Sequence, residues 1–124
     1  MQQINFEPIA IVGIACRFPS ANNSTEFWEL LKNGKNAVIE VPPDRWDIDL
    51  FYNSTPETSG KMNTKYGGFI EEVDMFDSAF FGITAKEAEN MDPQQRILME
   101  VTYEALQDAG QRTSALAGKK VGVF

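Results

Sequence analysis

The residue best suited to covalent chemistry is Cys16, the single cysteine of the chain, which stands just before Arg17 in the stretch AIVGIACRFPS. A thiol beside a cation is typical of a nucleophilic cysteine, because the positive charge favours the thiolate. Such a nucleophile usually needs a histidine as its base, and the chain contains no histidine. Free cysteines are also among the most frequently buried residues. The sequence therefore favours a packing role for Cys16 at the end of a buried strand.

Two groups of carboxylates are candidates for metal binding or acid and base catalysis. The first group consists of Asp44, Asp47 and Asp49. It lacks the glycine and the terminal glutamate of a calcium loop, so turn and helix-capping roles are favoured. The second group consists of Glu71, Glu72, Asp74 and Asp77. It could include a paired acid and base, but acidic residues at the margin of a short strand are typical of a solvated surface.

Two further patterns have a functional and a structural interpretation. The phenylalanines Phe76, Phe80 and Phe81 could line an acyl pocket, and core packing is the favoured alternative. Gly13 in IVGIACR could begin a phosphate-binding turn, but the dinucleotide-binding fingerprint needs three spaced glycines that lead into a helix. Residue types and spacing thus indicate no active site in these 124 residues.

The composition excludes several classes of protein. A hydrophobic content of 43% and a charged content of 23% are typical of a globular domain. The net charge of −7 argues against nucleic acid or an anionic membrane surface as the main partner. The amino terminus lacks a signal-peptide pattern, and no apolar run approaches the roughly 20 residues of a membrane span. One cysteine suits a reducing compartment, so we expect a cytosolic protein.

The first half of the chain is predicted to form a strand, a helix and a long loop around these candidate residues. Residues 1–6 resemble a short leader, and IAIVGIAC is apolar on both faces, which predicts a buried strand of a parallel sheet. NNSTEFWELLKNG predicts a short helix with Asn23 or Ser24 as N-cap and Gly34 beyond its end. Residues 41–66 predict a long loop with aromatic anchors at Trp46, Phe51 and Tyr52.

The remaining elements are predicted from residue 69 onward. Phe69 and Ile70 predict a short strand, and Thr84 with Glu87 predicts a helix start. A second start follows at Asp92 and Pro93, and this helix ends at Gly110. It is predicted to bury one stripe that consists of Leu98, Val101, Ala105 and Ala109. KKVGVF predicts a last apolar strand. The order predicts an α/β domain whose parallel pair is joined by a long crossover, with too few helices to cover both sheet faces.

Several motifs occur in order along nearly the whole chain: EPIAIVGIACRFP, FWELLKNGKNAV, PPDRWD, KYGGFIEEVDMFDSAFFGI, AKEAENMDPQQRILMEVTYEALQDAG and VGVF. Together they resemble the amino-terminal part of the ketosynthase (β-ketoacyl synthase) domain of type I modular polyketide synthases. The motif MDPQQR after FFGI is specific for this group and for close relatives such as animal-type fatty acid synthases. On this resemblance, residues 7–124 are the incomplete amino-terminal segment of such a domain.

The resemblance implies a thiolase-like fold of stacked α/β/α/β/α layers, of which this chain is the opening portion of the first half. It also implies a homodimer that takes an acyl chain from acyl carrier protein onto a cysteine and condenses it with a malonyl-type thioester. The substrates would be carried on phosphopantetheine, next to further synthase domains such as an acyltransferase, and no cofactor is implied for this segment.

The family's nucleophile lies in a Thr-Ala-Cys-Ser motif downstream of VGVF, and two histidines follow further on. No catalytic, cofactor-binding or metal-binding residue therefore maps onto this chain, and Cys16 matches a non-catalytic cysteine. Gly13, Cys16 and the helix beginning after Asp92 match scaffold positions, and the excursion between residues 41 and 70 is placed near the surface, where carrier-protein and dimer contacts would form. The alternative is a non-catalytic interaction or scaffold remnant of a synthase, and a nucleotide-binding enzyme is the third hypothesis.

Overall fold

The computed structural model describes residues 8–123. The predicted leader therefore lies outside the described residues, as does Phe124 of the predicted last strand. Seven elements follow one another in chain order: α1 (Ser24–Lys32), β1 (Val38–Glu40), α2 (Ile48–Phe51), β2 (Tyr66–Gly68), α3 (Ala85–Asn90), α4 (Pro93–Asp108) and α5 (Thr113–Leu116). None of the described helices is long and apolar enough to cross a membrane.

Helix α1 has the predicted ends. The Asn23 side chain accepts a hydrogen bond from the Glu26 N–H at 2.9 Å, so Asn23 rather than Ser24 is the N-cap. Beyond the last turn, Gly34 has a φ of 60°, the left-handed conformation that glycine adopts without steric cost. Phe27 stacks on Phe18 with ring centroids 4.1 Å apart. This stack joins the helix to the loop that precedes it.

The described sheet has two antiparallel strands, β1 and β2, which pair Val38 with Gly68 and Glu40 with Tyr66. The predicted strand at Phe69 and Ile70 is wrong, because pairing with β1 ends at Gly68. Glycine suits that end of the strand, since a Cβ at Gly68 would lie only 2.9 Å from Pro19 Cγ. The pairing partner, rather than local strand propensity, sets the bounds of β2.

The apolar segment 8–16 forms no strand in the structure, so the prediction of a parallel pair is wrong for the described residues. The segment lies along helix α4 instead of beside another strand. A Cβ at Gly13 would lie 2.8 Å from Ala109 Cβ, and the Ile14 N–H donates to Asp108 Oδ2 at 2.8 Å. A strand requires a backbone neighbour to accept its hydrogen bonds, and the described sheet, β1 with β2, supplies none to this segment. Residues 121–123 likewise carry no strand assignment.

Helices α3 and α4 begin at the predicted caps. Thr84 Oγ1 accepts from the Glu87 N–H at 3.2 Å, and Asp92 accepts from the Gln94 N–H at 2.8 Å with Pro93 in the first turn. Helix α4 ends before Gly110, whose φ is 65°. The apolar stripe of α4 that was predicted to be buried is only partly buried.

Leu98 of that stripe is 61% exposed, and Val101, Ala105 and Ala109 are half-buried. The apolar residues that are buried among residues 8–123 are Ala21, Val41 and Ala88. Large apolar side chains such as Ile9 and Val123 are 95% and 90% exposed. The described residues therefore lack a closed hydrophobic core.

The excursion between β1 and β2 is irregular apart from α2, as predicted. Trp46 packs edge-on against Phe69 with centroids 5.9 Å apart, and Lys65 Nζ lies 4.7 Å from the centroid of the Tyr52 ring. Arg45 Nη2 donates to the Ile70 carbonyl oxygen and so ties the start of the excursion to its end. Of the predicted anchors, Trp46 and Tyr52 make these ring contacts, although Trp46 is 37% exposed, and Phe51 is 43% exposed.

Candidate functional site

Cys16 is a free, half-buried cysteine next to a guanidinium that is already paired. Arg17 Nη1 and Nη2 donate to the two carboxylate oxygens of Glu104 at 2.7 and 2.5 Å. Nη1 also donates to the carbonyl oxygens of Asn22 at 2.7 Å and Cys16 at 3.2 Å. Arg17 thus contacts only the backbone carbonyl of Cys16, while both of its terminal nitrogens pair with the carboxylate of Glu104. This geometry favours packing over nucleophilic activation at Cys16.

The bidentate pair between Arg17 and Glu104 joins positions 87 residues apart. The side chains are 19% and 39% exposed, so water screens the pair only in part. The hydrogen bond with Glu104 is the main reason that the pKa of Arg17 is raised above its ordinary value, and partial burial opposes that rise. Arg17 therefore stays charged at every ordinary pH and clamps the loop after residue 16 to helix α4.

The aspartates of the first carboxylate group have local structural roles. Asp47 is the N-cap of α2 and accepts from the Asp49 N–H at 3.1 Å, which confirms the capping prediction. Asp49 Oδ1 accepts from Lys65 Nζ at 3.1 Å, and Glu40 lies 3.8 Å from the same ammonium. Asp44 lies in the turn closed by the Arg45 N–H and the Pro42 carbonyl. Across residues 8–123, no cluster of three acidic or cysteine side chains has the geometry to hold a metal ion.

Three members of the second carboxylate group share a cleft of about 390 Å³ next to the Arg17 and Glu104 clamp. The charged residues that line it are Arg17, Glu71, Glu72, Asp77, Glu100 and Glu104. Asp74 is not among its lining residues. Glu71, Glu72 and Asp77 are exposed, and Asp77 Oδ1 also accepts from the Phe80 N–H at 2.9 Å. These features are those of a solvated acidic surface with a turn cap.

Glu72 has an unusual backbone conformation at the edge of this cleft. Its φ is 50°, in the left-handed region where a residue with a Cβ is strained. The Met75 N–H donates to its carbonyl oxygen at 3.0 Å, which closes the turn. The strain is therefore part of the turn that places Glu71 and Glu72 at the cleft.

The three phenylalanines pack as a cluster together with Tyr103 of α4. Phe76 and Phe81 stack at 5.2 Å, while Phe80 meets the Phe81 and Tyr103 rings edge-on at 5.0 and 4.8 Å. This mutual packing supports the core interpretation for Phe76 and Phe81. Phe80 is 55% exposed and borders a second, mainly apolar groove of about 550 Å³ along α4, which we call the α4 groove.

The motif MDPQQR forms the entry to helix α4. Asp92 caps the helix, Pro93 occupies its first turn, and Arg96 Nη1 lies 3.5 Å from the Asp74 carbonyl oxygen. Arg96 Nε is buried without an acceptor among the described residues. The motif therefore serves as a helix start that also reaches the turn before the aromatic cluster.

Sequence reasoning missed the clamp and the contact of Gly13 with α4. Along the sequence Arg17 is only a neighbour of the thiol, and nothing near Glu104 marks it as the partner of that arginine. The only signal for the close contact is a glycine inside an otherwise apolar run, opposite a helix with alanines at positions 105 and 109. Both features depend on residues that are distant along the chain.

Comparison with known proteins identifies a family and several relatives that are similar in sequence. Residues 6–124 match the profile of a family described as the N-terminal domain of beta-ketoacyl synthase. A phenolphthiocerol/phthiocerol polyketide synthase of Mycobacterium bovis is 54% identical over 119 residues, which cover 95% of this chain and 6% of that protein. The polyketide synthase PksN of Bacillus subtilis is 48% identical, with 95% of this chain and 2% of that protein covered.

Two solved structures share the fold. An oxazolomycin ketosynthase domain from Streptomyces albus superposes with a TM-score of 0.81 at 43% identity, and the match covers 86% of this chain and 19% of that one. The ketosynthase from module 6 of the bacillaene synthase of Bacillus subtilis gives a TM-score of 0.76 at 39% identity, with coverage of 86% and 18%. The predicted fold class is confirmed: the described residues have the fold of part of a thiolase-like ketosynthase domain.

Proposed function

This chain belongs to the β-ketoacyl synthase family, and from that premise we propose that it is the opening part of a ketosynthase that extends acyl chains in a polyketide synthase. The observation that carries the proposal is the match over residues 6–124 together with the shared fold at 43% identity. The chain spans 6% and 2% of the two relatives described above and 19% of the solved Streptomyces ketosynthase chain. The activity is accordingly proposed for the whole protein and not for these residues alone.

The proposed reaction has two steps. A cysteine thiolate elsewhere in the polypeptide attacks the acyl thioester on acyl carrier protein, forms an acyl-enzyme thioester and releases the carrier thiol. A malonyl-type thioester on the carrier then loses carbon dioxide, and the resulting carbanion attacks the acyl-enzyme carbonyl. The new carbon-carbon bond releases the cysteine thiolate, so the enzyme is regenerated.

We assign scaffold roles to the residues of this chain. It contains no histidine, so any histidine that takes part in the reaction belongs to another part of the polypeptide. Gly13 brings the first segment against α4, and the Arg17 clamp joins the following loop to the same helix. A 124-residue piece expressed alone is therefore expected to lack acyl-transfer and condensing activity.

The proposed partners follow from the reaction. They are acyl carrier protein, whose phosphopantetheine arm carries both substrates, an adjacent acyltransferase domain and a second copy of the ketosynthase in a homodimer. We assign no cofactor to this chain. The single cysteine suits a reducing compartment, and the cytosol is the proposed location.

The proposal is tested on the natural full-length polypeptide. Incubation with an acyl thioester, digestion and mass spectrometry should locate the acyl group on a cysteine beyond residue 124, and a Cys16→Ala variant should be acylated to the same extent. Addition of malonyl-loaded carrier protein should then release carbon dioxide and give a condensed product. Acylation of Cys16 itself, or a full-length protein that stays unacylated, would contradict the proposal and favour a non-catalytic scaffold role.

A further inference from the structure

Lys65, the residue just before β2, contacts three side chains through its ammonium. Nζ donates to Asp49 Oδ1 of α2 at 3.1 Å and lies 3.8 Å from Glu40 Oε1 at the end of β1. It also lies 4.7 Å from the centroid of the Tyr52 ring, directly after α2. One positive charge therefore ties β1, α2 and the residue before β2 to one another.

Backbone hydrogen bonds close the rest of the excursion, which comprises residues 41–65. The Val41 N–H donates to the Lys65 carbonyl oxygen at 2.9 Å, and the Met62 N–H donates to the Phe51 carbonyl oxygen at 2.8 Å. Helix α2 lies within this segment and has no buried residue. A helix without buried side chains belongs to the low-stability end of a fold, so the loss of one charge beside it changes how often the segment opens.

We propose that Lys65 is an acylation switch: an acyl thioester transfers its acyl group to Nζ, and the excursion then opens. In this step the ammonium first gives one proton to water. The free amine attacks the thioester carbonyl carbon, an amide C–N bond forms, the C–S bond breaks, and a second proton leaves with the thiol. Acyl thioesters are the substrates of the proposed function, and the inference rests on that function only for the supply of this reactant.

An amide at this position cannot replace the ammonium. Acylation removes the charge that pairs with Asp49 and Glu40, and it removes the cation that lies over the Tyr52 ring. All three contacts therefore lose their electrostatic attraction in a single step. The backbone hydrogen bonds of the excursion are left to hold α2 in place.

The same contacts govern when the acylation takes place. The Lys65 side chain is 28% exposed, so a small thioester can reach it. The hydrogen bond with Asp49 is the main reason that the pKa of Lys65 is raised, Glu40 and Tyr52 add to the rise, and desolvation opposes it. The free amine is therefore scarcest in the closed excursion, and the reaction proceeds mainly from the open one. Acylation thus captures the open state and maintains it.

The first test follows acetylation of the folded full-length protein with S-acetyl-N-acetylcysteamine as the donor. Lys32 serves as an internal reference, because it pairs with Glu29 at 3.3 Å on α1, outside the excursion. Mass spectrometry of peptides gives the ratio of acetylation at the two lysines. In Asp49→Asn the ratio of Lys65 to Lys32 should rise at least about twofold, because one exposed ion pair no longer holds the Lys65 ammonium. An unchanged ratio would overturn the inference.

The second test measures the opening itself by hydrogen exchange of the full-length protein. Peptides that cover residues 47–62 should exchange at least about threefold faster in Lys65→Gln, whose side chain ends in an uncharged amide as acyl-lysine does. The matched control Lys65→Arg keeps the positive charge and should stay within about twofold of the unchanged protein. Equal exchange in the two variants would overturn the switch.

Condensing activity is measured on the same samples, so that the switch and the proposed function are judged separately. A protein that condenses acyl chains but shows neither effect refutes the switch alone. A protein that shows both effects without condensing acyl chains supports the switch and refutes the proposed activity alone.

Discussion

Removal of the Glu104 charge should loosen the contact between the loop after Cys16 and helix α4. In Glu104→Gln the side chain keeps its shape, but one of two charge-assisted hydrogen bonds to Arg17 is weakened and the other is lost. A hydrogen bond to a charged group contributes about 1.5 to 3 kcal/mol, and we take the lower end because Glu104 is 39% exposed. A loss of about 1.5 kcal/mol corresponds to a roughly tenfold increase in local opening.

Hydrogen exchange of the full-length protein, followed by mass spectrometry, measures this opening. Peptides that cover residues 14–22 should exchange roughly tenfold faster in Glu104→Gln, in proportion to the opening equilibrium. The matched control is Glu29→Gln, which removes an exposed pair with Lys32 at 3.3 Å on α1. Such a surface pair contributes less than about 0.5 kcal/mol, so exchange should change by about twofold or less.

A double-mutant cycle decides whether the two side chains act on each other. The double variant Arg17→Gln with Glu104→Gln should lose about 1 kcal/mol less free energy of opening than the sum of the two single losses. The reason is that either substitution alone already breaks the pair. Additivity to within about 0.3 kcal/mol would refute the clamp and leave the two residues as independent contributors.

Three further predictions concern single positions of the same full-length protein. Gly13→Ala should lower the free energy of unfolding by about 1 to 3 kcal/mol in urea titrations, because the new Cβ would lie 2.8 Å from Ala109 Cβ at the end of α4. An unchanged urea midpoint would contradict that close contact. Glu72→Gly should raise the free energy of unfolding by roughly 0.5 to 1 kcal/mol, because glycine adopts a φ of 50° without strain. Glu71 has no such strained φ, so the control Glu71→Gly should lower the free energy of unfolding. Equal effects of the two substitutions would refute the strain at Glu72. The pKa of Lys65 is raised above its ordinary value of 10.5, mainly by its hydrogen bond with Asp49. The ammonium therefore stabilises the fold fully below pH 10.5, and this stabilisation is lost as the pH rises through the pKa of the folded state. Titration of ¹³C-methylated lysines by NMR should show this pKa falling in Asp49→Asn, and an unchanged value would refute the assignment.

Local features of the structure could be predicted from residues close together in the sequence. The caps at Asn23, Thr84 and Asp92 and the helix ends before Gly34 and Gly110 follow from short-range hydrogen bonds and from the backbone freedom of glycine. The resemblance to ketosynthases likewise rests on ordered sequence motifs, and the family comparison confirms it. The absence of histidine is also a property of the sequence alone.

The tertiary structure decided whatever depends on distant partners. Strand β2 ends at Gly68, which pairs with Val38 at the first position of β1, and segment 8–16 is no strand because neither described strand pairs with it. Arg17 could have served the thiol of Cys16, but a carboxylate 87 residues away binds both of its terminal nitrogens. Hydrogen bonds and close packing act over a few ångströms in space regardless of separation along the chain. The sequence by itself therefore determined the family and the starts of α1, α3 and α4, while the tertiary structure determined that Arg17 is a clamp and that one side of α4 is an apolar groove.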